Sequence, residues 1–407
     1  MVNTTFPRRR LLLLTLGLTY ITIGILGALP AASLIRLASN THVSLEVAGS
    51  MFAIAAFGSM LGTVLSGFLI RSIQPKYLLL LGLFLLGSGS TTIVLTSSFP
   101  VLLLGQMVIG LGFGFIDPSL NSIATLTFQE TLASELNTLH GLFGLGSLLG
   151  PLLLAFGLHF FQSLELSYFI GAGIAVITIV LLLLQRLPEL ARHATNVEHK
   201  RAANRELWNV LRQGLLWLMV FQVSLFAAAE IGFGNWIVTA VSQSAALSLA
   251  QAAPVATAFF LGLMVGRLGG AQVLKRGWMS ETSLLSAVLC GGVVCGTIVA
   301  MFPGQVLVSY VASALVGGFY GPLEPSMMAI TSRHFKHAIG PVSSILIIGT
   351  NATSMLVPAA MGLLIPALGI NWVMAIPALC CTFAVLPMML ANRAQPEAQT
   401  DHHDGSS

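Results

Sequence analysis

Stretches of about twenty apolar residues recur along this chain almost back to back, and no other feature restricts its fold as sharply. A helix needs roughly 20 mostly apolar residues to cross about 30 Å of hydrocarbon. A membrane barrel would show alternating segments of about ten residues instead. Charge is correspondingly scarce. Of 407 residues, 8% are charged and 56% hydrophobic, whereas a soluble domain carries about 25% charged residues. The 18 basic and 14 acidic side chains cannot wet a globule of this size, so a soluble fold is excluded.

Breaks at charged and turn-rich positions give twelve predicted spans: 11–36, 44–70, 76–97, 101–127, 134–160, 166–187, 213–241, 249–274, 281–302, 305–332, 339–366 and 371–391. The basic residues orient them. With the amino terminus in the cytoplasm, sixteen of the eighteen fall on the cytoplasmic side, from Arg8, Arg9 and Arg10 to Arg393; Arg36 falls outside and Arg267 within a span. This is the positive-inside bias, and it places both termini in the cytoplasm. It accounts for the net charge of +4 without a nucleic-acid partner. No cleavable signal is expected, because the span after Arg10 is too long for a signal h-region. The four cysteines, Cys290, Cys295, Cys380 and Cys381, lie in apolar spans and are expected to be small core residues rather than a disulfide frame.

The polar stretch 188–212 separates six spans from six, and the two halves share a pattern at a constant offset of 207 residues. FIDPSLNSIATLTF from Phe115 aligns with PLEPSMMAITSRHF from Pro322, pairing Asp117 with Glu324, Pro118 with Pro325, Ser119 with Ser326 and Phe128 with Phe335. The same offset pairs Ser147 and Pro151 with Ser354 and Pro358. The expected organisation is therefore a bundle over 1–187, a cytoplasmic linker over 188–212, a second bundle over 213–393 and a polar tail over 394–407. Parallel repeats of this kind place a substrate site at their interface near the midplane.

Three acids sit well inside spans: Asp117, Glu230 and Glu324. Each would cost about 2.5 to 3.5 kcal/mol at the bilayer centre, so they are expected to face a water-filled interior. Asp117 and Asn121 share a helical face. Gln222, Phe226 and Glu230 follow at fourfold spacing in the seventh span, with Asn235 and Trp236 after two glycines, where the helix is expected to unwind or flex. Trp236 reads equally as an interfacial belt residue. Asn137 and His140 are about one turn apart in the fifth span, and Asn351 stands in the eleventh at the position equivalent to Gly144. A histidine in this setting serves as a proton relay or as a neutral hydrogen-bonded side chain. Glu324 is close enough to Arg267 in depth to pair with it. The sequence holds no phosphate loop, metal cluster or nucleophile triad, and the terminal DHHDGSS reads as a polar tail. No enzyme activity and no cofactor beyond a coupling ion are expected.

These segments carry a resemblance. IDPSLNS, LNTLHGLFGLGSLLGP and AEIGFGNWIVT, on two six-span halves, are similar to the major facilitator superfamily, and within it to the fucose, galactose and glucose:proton symporters and their animal sodium-dependent glucose-transporting relatives. The loop signature of that superfamily is degenerate after Gly67, where Arg71 stands in place of an Asp. The first span, LGLTYITIGILGALPAAS, lacks the acid that bacterial fucose symporters carry there. The resemblance implies a monomeric transporter of the plasma or inner membrane, moving a monosaccharide or similar neutral polar solute on a proton or sodium gradient. Asp117, Glu230, Glu324 and His140 would couple the ion. Asp117, Asn121, Asn137, His140, Gln222, Phe226, Glu230, Asn235, Trp236 and Asn351 would meet the solute. A proton-driven exporter of amphipathic compounds, with an aromatic and Met-lined pocket, is the rival reading. A non-transporting membrane receptor or scaffold is a third.

Overall fold

The computed structural model describes residues 6–70, 72–128, 132–185, 210–335 and 339–393. The tail at 394–407 and most of the 188–212 linker lie outside them, as do Arg71 and the side chain of Asn137.

Sixteen helices form from the described residues. In the first half these are α1 (Phe6–Ala32), α2 (Leu34–Asn40), α3 (Leu45–Ala48), α4 (Ser50–Leu69), α5 (Pro75–Leu95), α6 (Phe99–Thr127), α7 (Leu132–Phe161) and α8 (Glu165–Leu184). The second half holds α9 (Gly214–Ser244), α10 (Leu249–Ala252), α11 (Pro254–Lys275), α12 (Glu281–Met301), α13 (Val306–Tyr320), α14 (Leu323–His334), α15 (Ile339–Val373) and α16 (Ile376–Arg393). Eleven segments are long and apolar enough to cross a membrane, and Ile376–Val385 is a shorter apolar stretch in the place of the twelfth predicted span. Several predicted spans divide, the first of them, 11–36, between α1 and α2. Leu45–Leu69 contains α3 and α4, and Leu249–Lys275 contains α10 and α11. The tenth breaks between Tyr320 and Leu323, at Pro322, which has no N–H to continue the ladder. The predicted boundary between the last two spans falls at Gly369, whose φ of 78° bends the long α15. Glycine takes that backbone without a Cβ penalty.

Packing follows the repeat. In the first half α6 lies against α4 and α5, α7 against α1, and α8 against α5 and α1; in the second half α13 lies against α11 and α12, α15 against α9, and α16 against α12 and α9. The same five pairings thus recur in the same order. Several of the close approaches are made by glycines that also obey the offset of 207. A Cβ at Gly110 would run into the Ala55 carbonyl oxygen and one at Gly114 into that of Ser59; at the matching positions, Gly317 would meet Phe259 and Gly321 would meet Leu263. Without a hydrophobic force between helices in lipid, such close backbone contact is what holds them together. Gly110→Ala and Gly317→Ala are each expected to destabilise the protein by about 1–3 kcal/mol through overpacking. Gly173, around which a Cβ meets open space, is the control, and the thermal midpoint in detergent reads both.

The halves meet mainly through α7 with α11 and α4 with α15. The closure is on the face opposite the one that carries Phe6. There the Thr257 hydroxyl donates to the Leu148 carbonyl at 3.1 Å. Trp236 is wholly buried, packs edge-on against Phe52 at 5.9 Å, and fills the notches left by Gly49 and Gly362. We call this the closed face and the other the terminal face.

Candidate functional site

From the closed face inward, the first space between the halves is a cavity of about 180 Å³. Its walls include Phe52, Phe113 and the polar side chains of Ser59, Gln106, Asn235 and Ser354. Asn235 is one of these wall residues; Trp236, one residue on, is wholly buried rather than interfacial, and its indole N–H donates to the Pro358 carbonyl at 2.9 Å.

Nearer the terminal face lies a charged cluster with one wall in each half. On the first-half wall, Asp117 of α6 accepts a hydrogen bond from Asn121 and interacts electrostatically with His140 of α7. Both Asp117 and His140 are exposed despite their depth in the spans. The imidazole of His140 lies against the ring of Tyr20 from α1, with centroids 5.2 Å apart, and Tyr20 is itself within electrostatic reach of Asp117. His140 also feels Arg267, which belongs to the other half.

The second wall is an ion triad. Arg267 of α11 donates through one Nη2 to Glu230 Oε1 at 3.1 Å and Oε2 at 3.4 Å. The same nitrogen stands 3.8 Å from Glu324 Oε2. The side chains keep 30%, 20% and 37% of their surface accessible for Arg267, Glu230 and Glu324. The expected partner of Arg267, Glu324, is therefore its more distant one, and Glu230 binds it directly. The cluster thus sets three carboxyl groups around a single guanidinium.

Other expected site residues stand elsewhere. Gln222 and Phe226 are buried at 3% and 2% exposure; the Gln222 amide donates to the Ala384 carbonyl and ties α9 to α16. Neither reaches the cluster. Nor does the seventh span unwind: α9 runs unbroken across Gly232 and Gly234. Those glycines serve as contact points, for Met361 and Phe259 respectively. Asn351 lies half-buried in α15, away from the triad's hydrogen bonds. Of the cysteines, Cys295 and Cys381 are core residues, whereas Cys290 is exposed. Two members of the site were not anticipated: Tyr20, and Arg267 as the centre of the triad.

Two packed sets of apolar helices around a charged interior define a membrane transporter fold. The chain belongs to the Major Facilitator Superfamily, whose model matches residues 12–347. Among curated proteins it is similar to sodium-dependent glucose transporter 1 of Xenopus laevis, at 23% identity over 89% of this chain and 79% of that protein. Among solved structures it shares its fold with the nucleoside transporter NupG, at a TM-score of 0.78 and 11% identity over 93% of this chain and 99% of that one. It also shares it with the transporter FucP in the outward conformation, at a TM-score of 0.62 and 17% identity over 93% and 98%.

Proposed function

We propose that this chain is a twelve-helix secondary active transporter of the cell membrane, with two six-helix bundles and both termini cytoplasmic, that moves a monosaccharide or similar neutral polar solute by alternating access. The observation that carries this reading is the cluster itself. Carboxylates that a bilayer would reject stand accessible between the halves, beside a small cavity whose mostly apolar wall includes the polar side chains of Ser59, Gln106, Asn235 and Ser354. Oxygen acceptors in number suit the hydroxyl groups of such a solute. The name of the Xenopus relative, a sodium-dependent glucose transporter, supports the solute class.

The coupling ion, a proton or sodium, is taken at Asp117, Glu230, Glu324 and His140. Neutralising carboxylate charge changes the relative stability of the two access states, and coupling needs no more than that differential. With Arg8, Arg9, Arg10 and Arg393 on the terminal face, the closed face is extracellular and the described state opens to the cytoplasm.

Purified protein in liposomes tests this through sugar counterflow and through uptake under imposed proton or sodium gradients. Asp117→Asn is expected to reduce gradient-driven accumulation at least tenfold while counterflow, which needs no gradient, persists. Unchanged accumulation in that variant would sink the coupling assignment. Export of lipophilic cations without sugar counterflow would favour the exporter.

A further inference from the structure

Seven buried polar side-chain atoms lack a hydrogen-bond partner among the described residues. Five belong to side chains packed inside a half. Ser66, Ser90, Thr239 and Ser313 are at most 1% exposed, and Tyr320 is wedged against Gly292. The remaining two, the Tyr20 hydroxyl and Arg267 Nε, belong to the charged cluster and stand on its opposite walls. Tyr20 is 2% exposed, so water does not satisfy its hydroxyl from the bulk. An orphaned buried donor destabilises a protein unless something completes it.

We propose that Tyr20 and Arg267 bind the transported solute directly, and that its hydroxyl groups complete the Tyr20 hydroxyl from the first half and Arg267 Nε from the second. This rests on the transport reading above and deepens it by naming two residues that choose the solute. A hydroxyl both donates and accepts. One hydroxyl accepts from Arg267 Nε and donates to the Glu230 carboxylate; another accepts from Tyr20 and donates to Asp117. Two hydroxyls of one solute meet both requirements at once, which a carboxylate or a hydrocarbon cannot. The ligand class is a neutral polyol, and a phosphorylated sugar, whose anionic oxygens cannot donate to Glu230 or Asp117, falls outside it. Because the two orphans sit on different halves, a bound solute also ties the halves together.

The test uses the full chain in liposomes, with D-glucose, its single-deoxy analogues and glucose 6-phosphate as probes. Tyr20→Phe removes only the hydroxyl and keeps the ring against His140. Its KM for glucose is expected to rise about fivefold, the share of one neutral hydrogen bond, with kcat retained. For one deoxy analogue the KM of wild type and variant should coincide, which marks the hydroxyl that Tyr20 holds. A merely structural tyrosine would lower the thermal midpoint of the solute-free protein, whereas deleting an unsatisfied hydroxyl should leave it unchanged or raise it. R267K keeps the charge but loses Nε and the planar fork, and is expected to raise the glucose KM at least as much. Wild-type counterflow of glucose with unchanged KM in both variants, or transport of glucose 6-phosphate, would overturn this inference alone. Absence of counterflow with every neutral sugar in the wild-type protein would overturn the transport reading first.

Discussion

Arg267→Ala is expected to be the most damaging single substitution in the charged interior, lowering stability by about 2–3 kcal/mol and abolishing uptake. The direction follows from the triad. Glu230 loses a partner at 3.1 Å and Glu324 one at 3.8 Å, which leaves two like charges facing each other across α9 and α14. Removing one partner from a fully buried pair costs about 3–5 kcal/mol. Here 20–37% of each side chain remains accessible, and water in the cavity screens part of the loss. The decisive comparison is a double-mutant cycle. R267A combined with E230Q removes the uncompensated carboxylate nearest the gap and should recover at least half of the thermal midpoint lost by R267A alone. Equal losses in the single and double variants would show that Arg267 stabilises through the packing of its stem rather than its charge. E230Q alone should be mild, since Arg267 keeps Glu324.

That triad shows where sequence reasoning reached and where it stopped. The depth of Glu230, Glu324 and Arg267 followed from the span pattern, because a span fixes position along the membrane normal. Their pairing did not, because it depends on how α9, α11 and α14 rotate about their own axes. The same gap explains Gln222. Fourfold spacing keeps one face over a single step, but at about 100° per residue two steps of four turn the helix by about 80°. Glu230 therefore faces the interior while Gln222 faces α16. Asp117 and Asn121, a single step apart, stayed together. The offset of 207 was legible in the acids and prolines of α6 and α14. It extends to Gly110 with Gly317 and Gly114 with Gly321, which composition hid: 41 glycines make any two a weak signal until their contacts are known. Tyr20 carried no signal. A tyrosine in an apolar helix is an ordinary core residue until its hydroxyl proves to have no partner.

Trp236→Ala is expected to open the closed face, shifting the balance between the two access states about tenfold. Truncating a buried tryptophan costs about 3–5 kcal/mol in total, but only part of that bears on access. The indole bond to Pro358 and the notch at Gly362 lie within the second half and persist whichever face is open. The edge contact with Phe52 and the notch at Gly49 bridge the two halves and exist only while this face is shut. If that bridging portion is about 1.4 kcal/mol, the state with this face open gains a factor of about ten. Spin labels at Ser97 and Gln305, in loops of opposite halves on this face, would read the change as a longer distance population, in a background with the four native cysteines replaced. Trp236→Phe should fall between, since a smaller ring still reaches toward Phe52 but gives up the N–H bond. An unaltered distance distribution together with a lowered thermal midpoint would mean that Trp236 only packs the second half. A shifted distribution at nearly unchanged stability would mark it as the gate. The cross-half position of Phe52 and Gly49 favours the shift, because those two contacts have to break for the solute to leave by this side.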